Sequence, residues 1–310
     1  MLRFLPGPVK GIISVIVYFL NTVLCAIFLF PVALIKFIIP HHSMRRWCNI
    51  ILDRLGSYWI SVNSWNIHLT KNIHWHLTGT DTLDDKNWYL VIANHQSWVD
   101  ILVLQNIFNR KIPFLKFFLK KELIWVPILG LAWWALDFPF MKRYSRALIK
   151  KKPHLKGKDI EITRRACQKF KDKPVSVMNF VEGTRFTVDK HREQSSPYKH
   201  LLRPKSGGIA FVLAAMGDHI QNILNVTIVY PGNKKSFWQF VCGEVTDVIV
   251  SVEVLPVYEH LKGDYFDDPD FKKLFQDSIN ALWAQKDKKI QMLYDEWKHL
   301  SEESHKLKSN

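Results

Sequence analysis

The stretch NWYLVIANHQSWVDILVL, residues 87–104, holds the change of period on which the fold turns. Its first half, WYLVIAN (88–94), is an unbroken aromatic and β-branched run, the pattern of a strand covered on both faces. Its second half, SWVDILVLQNIFN (97–109), spaces its apolar residues as a helix does. A doubly covered strand feeding a helix is the repeating unit of a mostly parallel, helix-flanked sheet.

Beyond about residue 60 the alternation continues. NIHWHLTG (72–79) alternates like a strand, and PVSVMNFVEG (174–183) reads as a buried one. KIPFLKFFLK (111–120) is another, which Pro113 confines to an edge or a strand start. Strands are also expected at ILNVTIVYPG (223–232), FWQFVCGEV (237–245) and VIVSVEVLPV (248–257). Helices are expected at the amphipathic DIEITRRACQKFKDK (159–173), at GGIAFVLAAMG (207–217), and along the charged stretch 268–298. No internal repeat or low-complexity linker interrupts the series. The expected organisation is one α/β domain, residues 59–310, behind an N-terminal segment, residues 1–58.

The 310 residues are 48% hydrophobic and 13% aromatic, with 12 Trp and 20 Phe, which excludes a disordered or fibrous chain. A formal net charge of +15 implies an anionic partner without naming it. The excess is concentrated: from Arg110 to Lys158 every acidic residue is accounted for by Glu122 and Asp137. Cys25, Cys48, Cys167 and Cys242 show neither CxxC spacing nor a pairing pattern, so reduced thiols facing the cytosol are expected. His74 and His76 alternate as a metal pair would, but no third ligand accompanies them, and no metal site is expected.

Residues 11–39, GIISVIVYFLNTVLCAIFLFPVALIKFII, are an apolar run interrupted only by Asn21-Thr22, Pro31 and Lys36. A bilayer core takes about 20 such residues, so the run is long enough to enter or cross a membrane. No small-x-small cleavage site follows, so a removed signal peptide is a poor fit and a retained segment is expected. Basic residues mark the cytoplasmic side of such a segment, yet here they flank both ends: Arg3 and Lys10 before, Arg45, Arg46 and Arg54 after. Two arrangements fit: an inserted or spanning helix followed by a second membrane-contacting helix, or a re-entrant hairpin broken at Pro31.

His95 and Asp100 close the opening strand. Ser97-Trp98-Val99-Asp100 fits the S-x-x-[DE] capping box, which alone accounts for the aspartate. Five positions within one regular helix would separate the two side chains by about 140°. A pair therefore forms only if His95 precedes the helix and folds back over its first turn. There an aspartate accepts from one imidazole nitrogen and fixes the tautomer, leaving the other nitrogen to take a proton. Both readings stand on spacing alone. No G-x-S-x-G elbow supplies a serine nucleophile, so the histidine would act on a substrate hydroxyl directly, as general base.

A second constellation, NFVEGTRF (179–186), ends another buried strand in Glu182-Gly183-Thr184-Arg185. Glycine lets backbone approach a ligand, and a hydroxyl with a guanidinium fork suits a phosphate. NHQSWVD, FLKKELIWVPILG with FPFMKR, FVEGTR and VTIVYP occur in this order over roughly residues 60–260. Together they resemble the four sequence blocks of the glycerophospholipid, or 1-acylglycerol-3-phosphate, acyltransferases, whose hallmark is H-x4-D. Within that family, NWYLVIANHQSWVDI, LDFPFMKRYSRA and NFVEGTRFT look most like a bacterial, YihG-like branch akin to the lysocardiolipin acyltransferases.

The resemblance implies that His95 deprotonates the free hydroxyl of a lysophospholipid, which attacks an acyl thioester of coenzyme A or acyl carrier protein. Asp100 would orient His95. Arg185 and Arg143, with Lys121 nearby, would hold the acceptor phosphate, and Glu182, Gly183 and Thr184 would complete that pocket. Arg143 stands in Met-Lys-Arg, so Lys142 and Arg143 could trade roles. No cofactor beyond the thioester co-substrate is implied, and membrane lipids rather than nucleic acid are the expected partners. The expected location is the cytoplasmic (inner) membrane, with the catalytic domain in the cytosol. The basic tract KRYSRALIKKKPHLKGK (142–158) would lie on anionic headgroups or attract coenzyme A phosphates. Two other classes compete: a non-catalytic, membrane-tethered binder of anionic lipid or nucleic acid, and a lipid hydrolase.

Overall fold

The computed structural model describes residues 2–141, 173–217, 219–233 and 235–309. In chain order these form α1 (Gly7–Ile38), α2 (His42–Thr70), β1 (His74–Thr78), β2 (Tyr89–Ala93), α3 (Val99–Phe108), β3 (Leu115–Phe117), β4 (Leu119–Lys120) and α4 (Leu129–Ala135). There follow β5 (Phe140–Met141), β6 (Ser176–Phe180), α5 (Val188–Glu193), α6 (Gly207–Met216), β7 (Asn222–Val229), α7 (Phe237–Val241), β8 (Asp247–Pro256) and α8 (Pro269–Ser309). Lys142, Arg143, the basic tract 142–158, Cys167 and nearly all of the helix expected over 159–173 lie outside the described residues.

The main sheet runs β1-β8-β7-β2-β6-β3. All its pairings are parallel except β7 with β8. β2 sits in the middle, with every residue of YLVIA buried. Its alternation feeds two layers: Tyr89, Val91 and Ala93 pack with α3, while Leu90 and Ile92 pack with α6 and α8. This explains why the run reads as continuously apolar, since neither face meets water. The fold is a mostly parallel α/β sheet between two helical layers. Because β2, β6 and β7 are parallel and Ala93 pairs with both Phe180 and Val226, their carboxyl ends open on one edge.

Two expectations change. FWQFVCGEV forms no strand: Phe237–Val241 is the helix α7, started by a reciprocal capping box between Ser236 and Gln239. Its strand-favouring aromatic residues yield to that cap, a signal that outweighs weak propensity over five residues. KIPFLKFFLK splits, with β3 on the sheet edge and β4 in a separate pair with β5. Of the two arrangements that fit the N-terminal run, the unbroken helix forms: α1 continues through Pro31, and the chain turns at Ile39–His41 into α2. Residues 58 and 59, the expected division between N-terminal segment and body, fall inside α2.

α1 is inverted relative to a helix of a soluble protein. The face of α1 buried against α2 and the body carries Gly11, Ser14, Asn21, Cys25, Ala26, Leu29 and Ala33. Asn21 donates to the Trp59 carbonyl at 2.9 Å and to Asn63 Oδ1 at 2.8 Å, and Trp59 Nε1 donates to Thr22 at 3.1 Å. The outer face is Ile12, Ile16, Phe19, Leu20, Leu24, Ile27, Phe28 and Leu34, all exposed. At 32 residues the helix is about 48 Å long. It is long and apolar enough to cross a membrane. Both of its ends nevertheless touch the body. Near the start, Gly11 lies so close to α7 that an added Cβ would meet Cys242 Sγ at 2.8 Å. Near the end, Lys36 donates to the Ala135 carbonyl at 3.0 Å and pairs with Asp137 at 2.5 Å, with both side chains nearly buried.

Candidate active site

β2 ends at Ala93, and Asn94 fixes how the chain leaves it. Its side chain donates to the Ile228 carbonyl and accepts from the Ile228 N–H, both at 2.9 Å. An asparagine side chain thus completes one more rung of the β2–β7 ladder. The next residue, His95, turns over the first turn of α3, where Nδ1 lies 2.9 Å from Asp100 Oδ2. A carboxylate only accepts, so Nδ1 carries the hydrogen and the neutral ring presents a lone pair at Nε2. The ring stacks on Phe180, with centroids 3.8 Å apart and planes 13° apart. Among the described residues no group hydrogen-bonds to Nε2.

Asp100 is fully buried. Besides His95, its Oδ2 accepts from the backbone N–H of Gln96 at 2.6 Å and of Ser97 at 2.9 Å. Its Oδ1 accepts from the Tyr230 hydroxyl at 2.7 Å. Only half of the expected capping box forms: Asp100 accepts from the Ser97 N–H, but the Asp100 N–H goes to the Ser97 carbonyl and the Ser97 hydroxyl caps nothing at Asp100. One carboxylate thus holds the turn into α3 and orients the imidazole. Each hydrogen bond to a charged group is worth about 1.5–3 kcal/mol, which is why the carboxylate tolerates burial. Burial and the Asp100 charge push the Tyr230 phenol well above its ordinary range, so it stays a donor. Tyr230 belongs to the VTIVYP block, but periodicity assigns it no partner 130 positions away.

Glu182 is turned into the protein. Its Oε1 accepts from the His95 N–H and its Oε2 from the Leu202 N–H, each at 2.8 Å. The His95 carbonyl accepts from the Phe186 N–H at 2.7 Å, so the EGTR turn grips His95 on both backbone groups. Gly183 makes the turn possible with φ +68°. Burial pushes Glu182 up to about 7, outweighing the two N–H donors that favour its anion. Lys286 of α8, also buried, is pushed down to about 7, with the Glu182 charge opposing that shift.

Cationic groups rim the histidine. Arg185 is exposed, its guanidinium 4.8 Å from the centre of the Trp98 ring. Lys190 donates to Thr184 Oγ1 at 2.8 Å and to the Arg185 carbonyl at 3.2 Å. Lys235 donates to Gln96 Oε1 at 3.2 Å, and burial draws its pKa down against the pull of Asp100. Ser97 Oγ donates to the Lys235 carbonyl. Lys190 and Lys235 carry no motif that would have found them, since one stands on α5 and the other on the loop after β7. Lys121 opens an exposed 3-10 turn (Lys121–Trp125) and takes part in none of these contacts. Arg143 lies outside the described residues.

Glu182 yields a prediction with a definite sign. Its value rises from an ordinary 4.5 to about 7, so the native state keeps a proton that the unfolded chain releases. The stability it contributes is full below pH 4.5 and is lost as pH rises through about 7. In urea titrations, the midpoint of wild type minus that of Glu182→Gln should fall between pH 4.5 and pH 7.5. A difference independent of pH would contradict burial as the dominant influence.

A family model described as Acyltransferase matches residues 74–230, a little over half of the chain. Curated relatives include mouse 1-acyl-sn-glycerol-3-phosphate acyltransferase epsilon, 26% identical over 212 residues, covering 59% of this chain and 55% of the relative. Mouse 1-acyl-sn-glycerol-3-phosphate acyltransferase gamma is 25% identical over 217 residues, covering 65% and 54%. The chain thus spans about half the length of these relatives. The crystal structure of the 1-acyl-sn-glycerophosphate acyltransferase of Thermotoga maritima shares the fold, with TM-score 0.51, 15% identity, and coverage of 92% of this chain and 98% of that one. The matched span begins at β1 and ends at Tyr230, taking in the His95–Asp100 pair and the EGTR turn, and this chain belongs to the acyltransferase family.

Proposed function

We propose that this chain is a membrane-attached O-acyltransferase that moves a fatty acyl group from an acyl thioester to the free hydroxyl of a lysophospholipid. The acceptor class is 1-acyl-sn-glycerol-3-phosphate or a related lysophospholipid, the donor acyl-coenzyme A or acyl carrier protein, and the branch YihG-like. The observation that carries this reading is His95, with Nδ1 tied to Asp100 and Nε2 left without a hydrogen-bond partner among the described residues. The names of the relatives support the acceptor class.

In this mechanism Nε2 takes the hydroxyl proton as the acceptor oxygen attacks the thioester carbonyl. The carbonyl electrons move to oxygen, and Asp100 stays ionised and steadies the imidazolium. Collapse of the tetrahedral intermediate breaks the C–S bond. The departing sulfur takes the proton from Nε2, releasing a free thiol and the new ester. These steps call for no cofactor beyond the thioester co-substrate. Arg185, with Thr184, Lys190 and Lys235 on the rim, would hold the acceptor phosphate, and the resemblance adds Lys121 and Arg143. Glu182 and Gly183 serve that pocket by holding the backbone that shapes it.

α1 suits a lipid-facing role, because its outer face is apolar and its polar groups point inward. With both ends against the body, it would lie in one leaflet rather than cross. The charge pattern then loses its contradiction: Arg3, Lys10, Arg45, Arg46 and Arg54 all stay on the cytosolic side. In this reading residues 1–58 form the anchor of the cytoplasmic membrane. The acyltransferase domain, residues 59–310, faces the cytosol, with α2 continuous between them.

Two tests follow. His95→Ala should reduce acyl transfer from labelled acyl-coenzyme A to lysophosphatidate about 10²–10⁴-fold while the protein accumulates normally. Full transfer by that variant would overturn the mechanism, and fatty acid release without acceptor would favour a hydrolase. In inverted membrane vesicles, cysteines introduced by Leu5→Cys and His41→Cys should both react with an impermeant thiol reagent. Reaction at only one position would mean that α1 crosses the bilayer.

A further inference from the structure

The helix α8 begins well past the last residue of the matched family span, yet a chain of hydrogen bonds leads from it towards the histidine. Phe275, Ile279, Trp283 and Ile290 seat it on the sheet face opposite α3. Lys286, itself buried, donates to the Val226 carbonyl of β7 at 2.5 Å. The next residue, Asp287, reaches sideways to the segment that follows the EGTR turn. Its Oδ2 accepts from the Lys199 N–H at 2.9 Å, and its Oδ1 from the His200 N–H at 2.7 Å. One turn on, Gln291 Oε1 lies 2.7 Å from Lys199 Nζ and 2.9 Å from His200 Nε2. Two consecutive N–H groups sharing one carboxylate fix the direction of the backbone there, which a single contact would not do.

That direction matters two residues later. Leu202 gives its N–H to Glu182 Oε2, and the other oxygen of Glu182 holds the His95 N–H. Glu182 is fully buried, so it has no water to replace a lost donor. A shift of residues 199–202 would leave the carboxylate with one donor and pass the displacement to His95. Ser196 Oγ on the Leu201 carbonyl at 2.7 Å, and Arg203 Nη2 on the Ser195 carbonyl at 2.8 Å, make the segment stiff enough to transmit it.

We propose that Asp287 is a positioning residue for His95, acting through the 199–202 backbone and the Glu182 carboxylate. The α8 helix is thereby part of the catalytic apparatus and more than a cover for the sheet. The effect on turnover rests on the reading of His95 as the base of acyl transfer, whereas the effect on His95 itself does not.

The test uses the full chain in detergent or membranes, with Asp287→Ala, Asp287→Asn and, as a control on the exposed face of α8, Lys289→Ala. Two quantities are read: kcat and KM with lysophosphatidate, and the rate of His95 modification by diethylpyrocarbonate followed by peptide mass spectrometry. Asp287→Ala should lower kcat about 10–100-fold with the acceptor KM within about twofold, as expected when a reacting group is displaced by an ångström or less. It should also change the His95 modification rate severalfold relative to His76. Asp287→Asn, which keeps one acceptor oxygen, should fall between, and Lys289→Ala should match wild type. If Asp287→Ala does not fold, Asp287→Asn decides. Wild-type kcat and His95 modification rate in a folded Asp287 variant would overturn the proposal. If wild type transfers acyl groups to no lysophospholipid, the proposed function fails, and the modification rate alone decides the role of Asp287.

Discussion

A carboxylate with no access to water must be surrounded by donors, and the Asp100 site is built to supply them. Its four hydrogen bonds come from His95, from the turn entering α3, and from the end of β7. Two segments far apart in sequence, 95–100 and the end of β7, must therefore arrive together. The parallel arrangement of β2, β6 and β7 makes this possible, because it brings their carboxyl ends to one edge. Asn94 then locks β2 to β7 one residue before the histidine. The same edge receives the EGTR turn from β6, which clamps the backbone of His95.

The second organising feature is the inversion of α1. Its Asn21 and Thr22 are bonded within the protein, to Asn63, the Trp59 carbonyl and Trp59 Nε1, while its apolar residues face outward. Water would penalise that surface and lipid would not. The ion pair between Lys36 and Asp137 and the close approach of Gly11 to Cys242 lay the helix along the body. On the proposed function, this surface would hold the site where a bilayer-resident acceptor lies.

Much of this was legible in the sequence because the decisive signals are local. The change of period at residues 88–109 gives β2 and α3, and the five-residue step from His95 to Asp100 forces the histidine off the helix. The capping box and the proton relay looked like rivals because a spacing shows one use of a carboxylate, whereas two oxygens accept several donors. α7 was misread because its aromatic residues favour strands, and the Ser236–Gln239 cap decided otherwise. At Pro31 the sequence allowed either a break or a continuous helix, and the helix continues to Ile38. Tyr230, Lys190, Lys235 and Asp287 reach the site through contacts set by sheet order and helix packing, which no window of neighbouring residues contains. The buried orientation of Glu182 is of the same kind, since EGTR names the residues but not the direction in which the carboxylate points.

The central claim is that Asp100 fixes the tautomer of His95 and frees Nε2 for the substrate hydroxyl. The most direct measurement is a 15N spectrum of the histidine-labelled protein at neutral pH, with His95 assigned by loss of its signals in His95→Gln. The structure predicts a hydrogen on Nδ1 and an unprotonated Nε2 in wild type, with that preference lost in Asp100→Ala. A hydrogen resident on Nε2 in wild type, or a tautomer unchanged by removal of the carboxylate, would contradict the account.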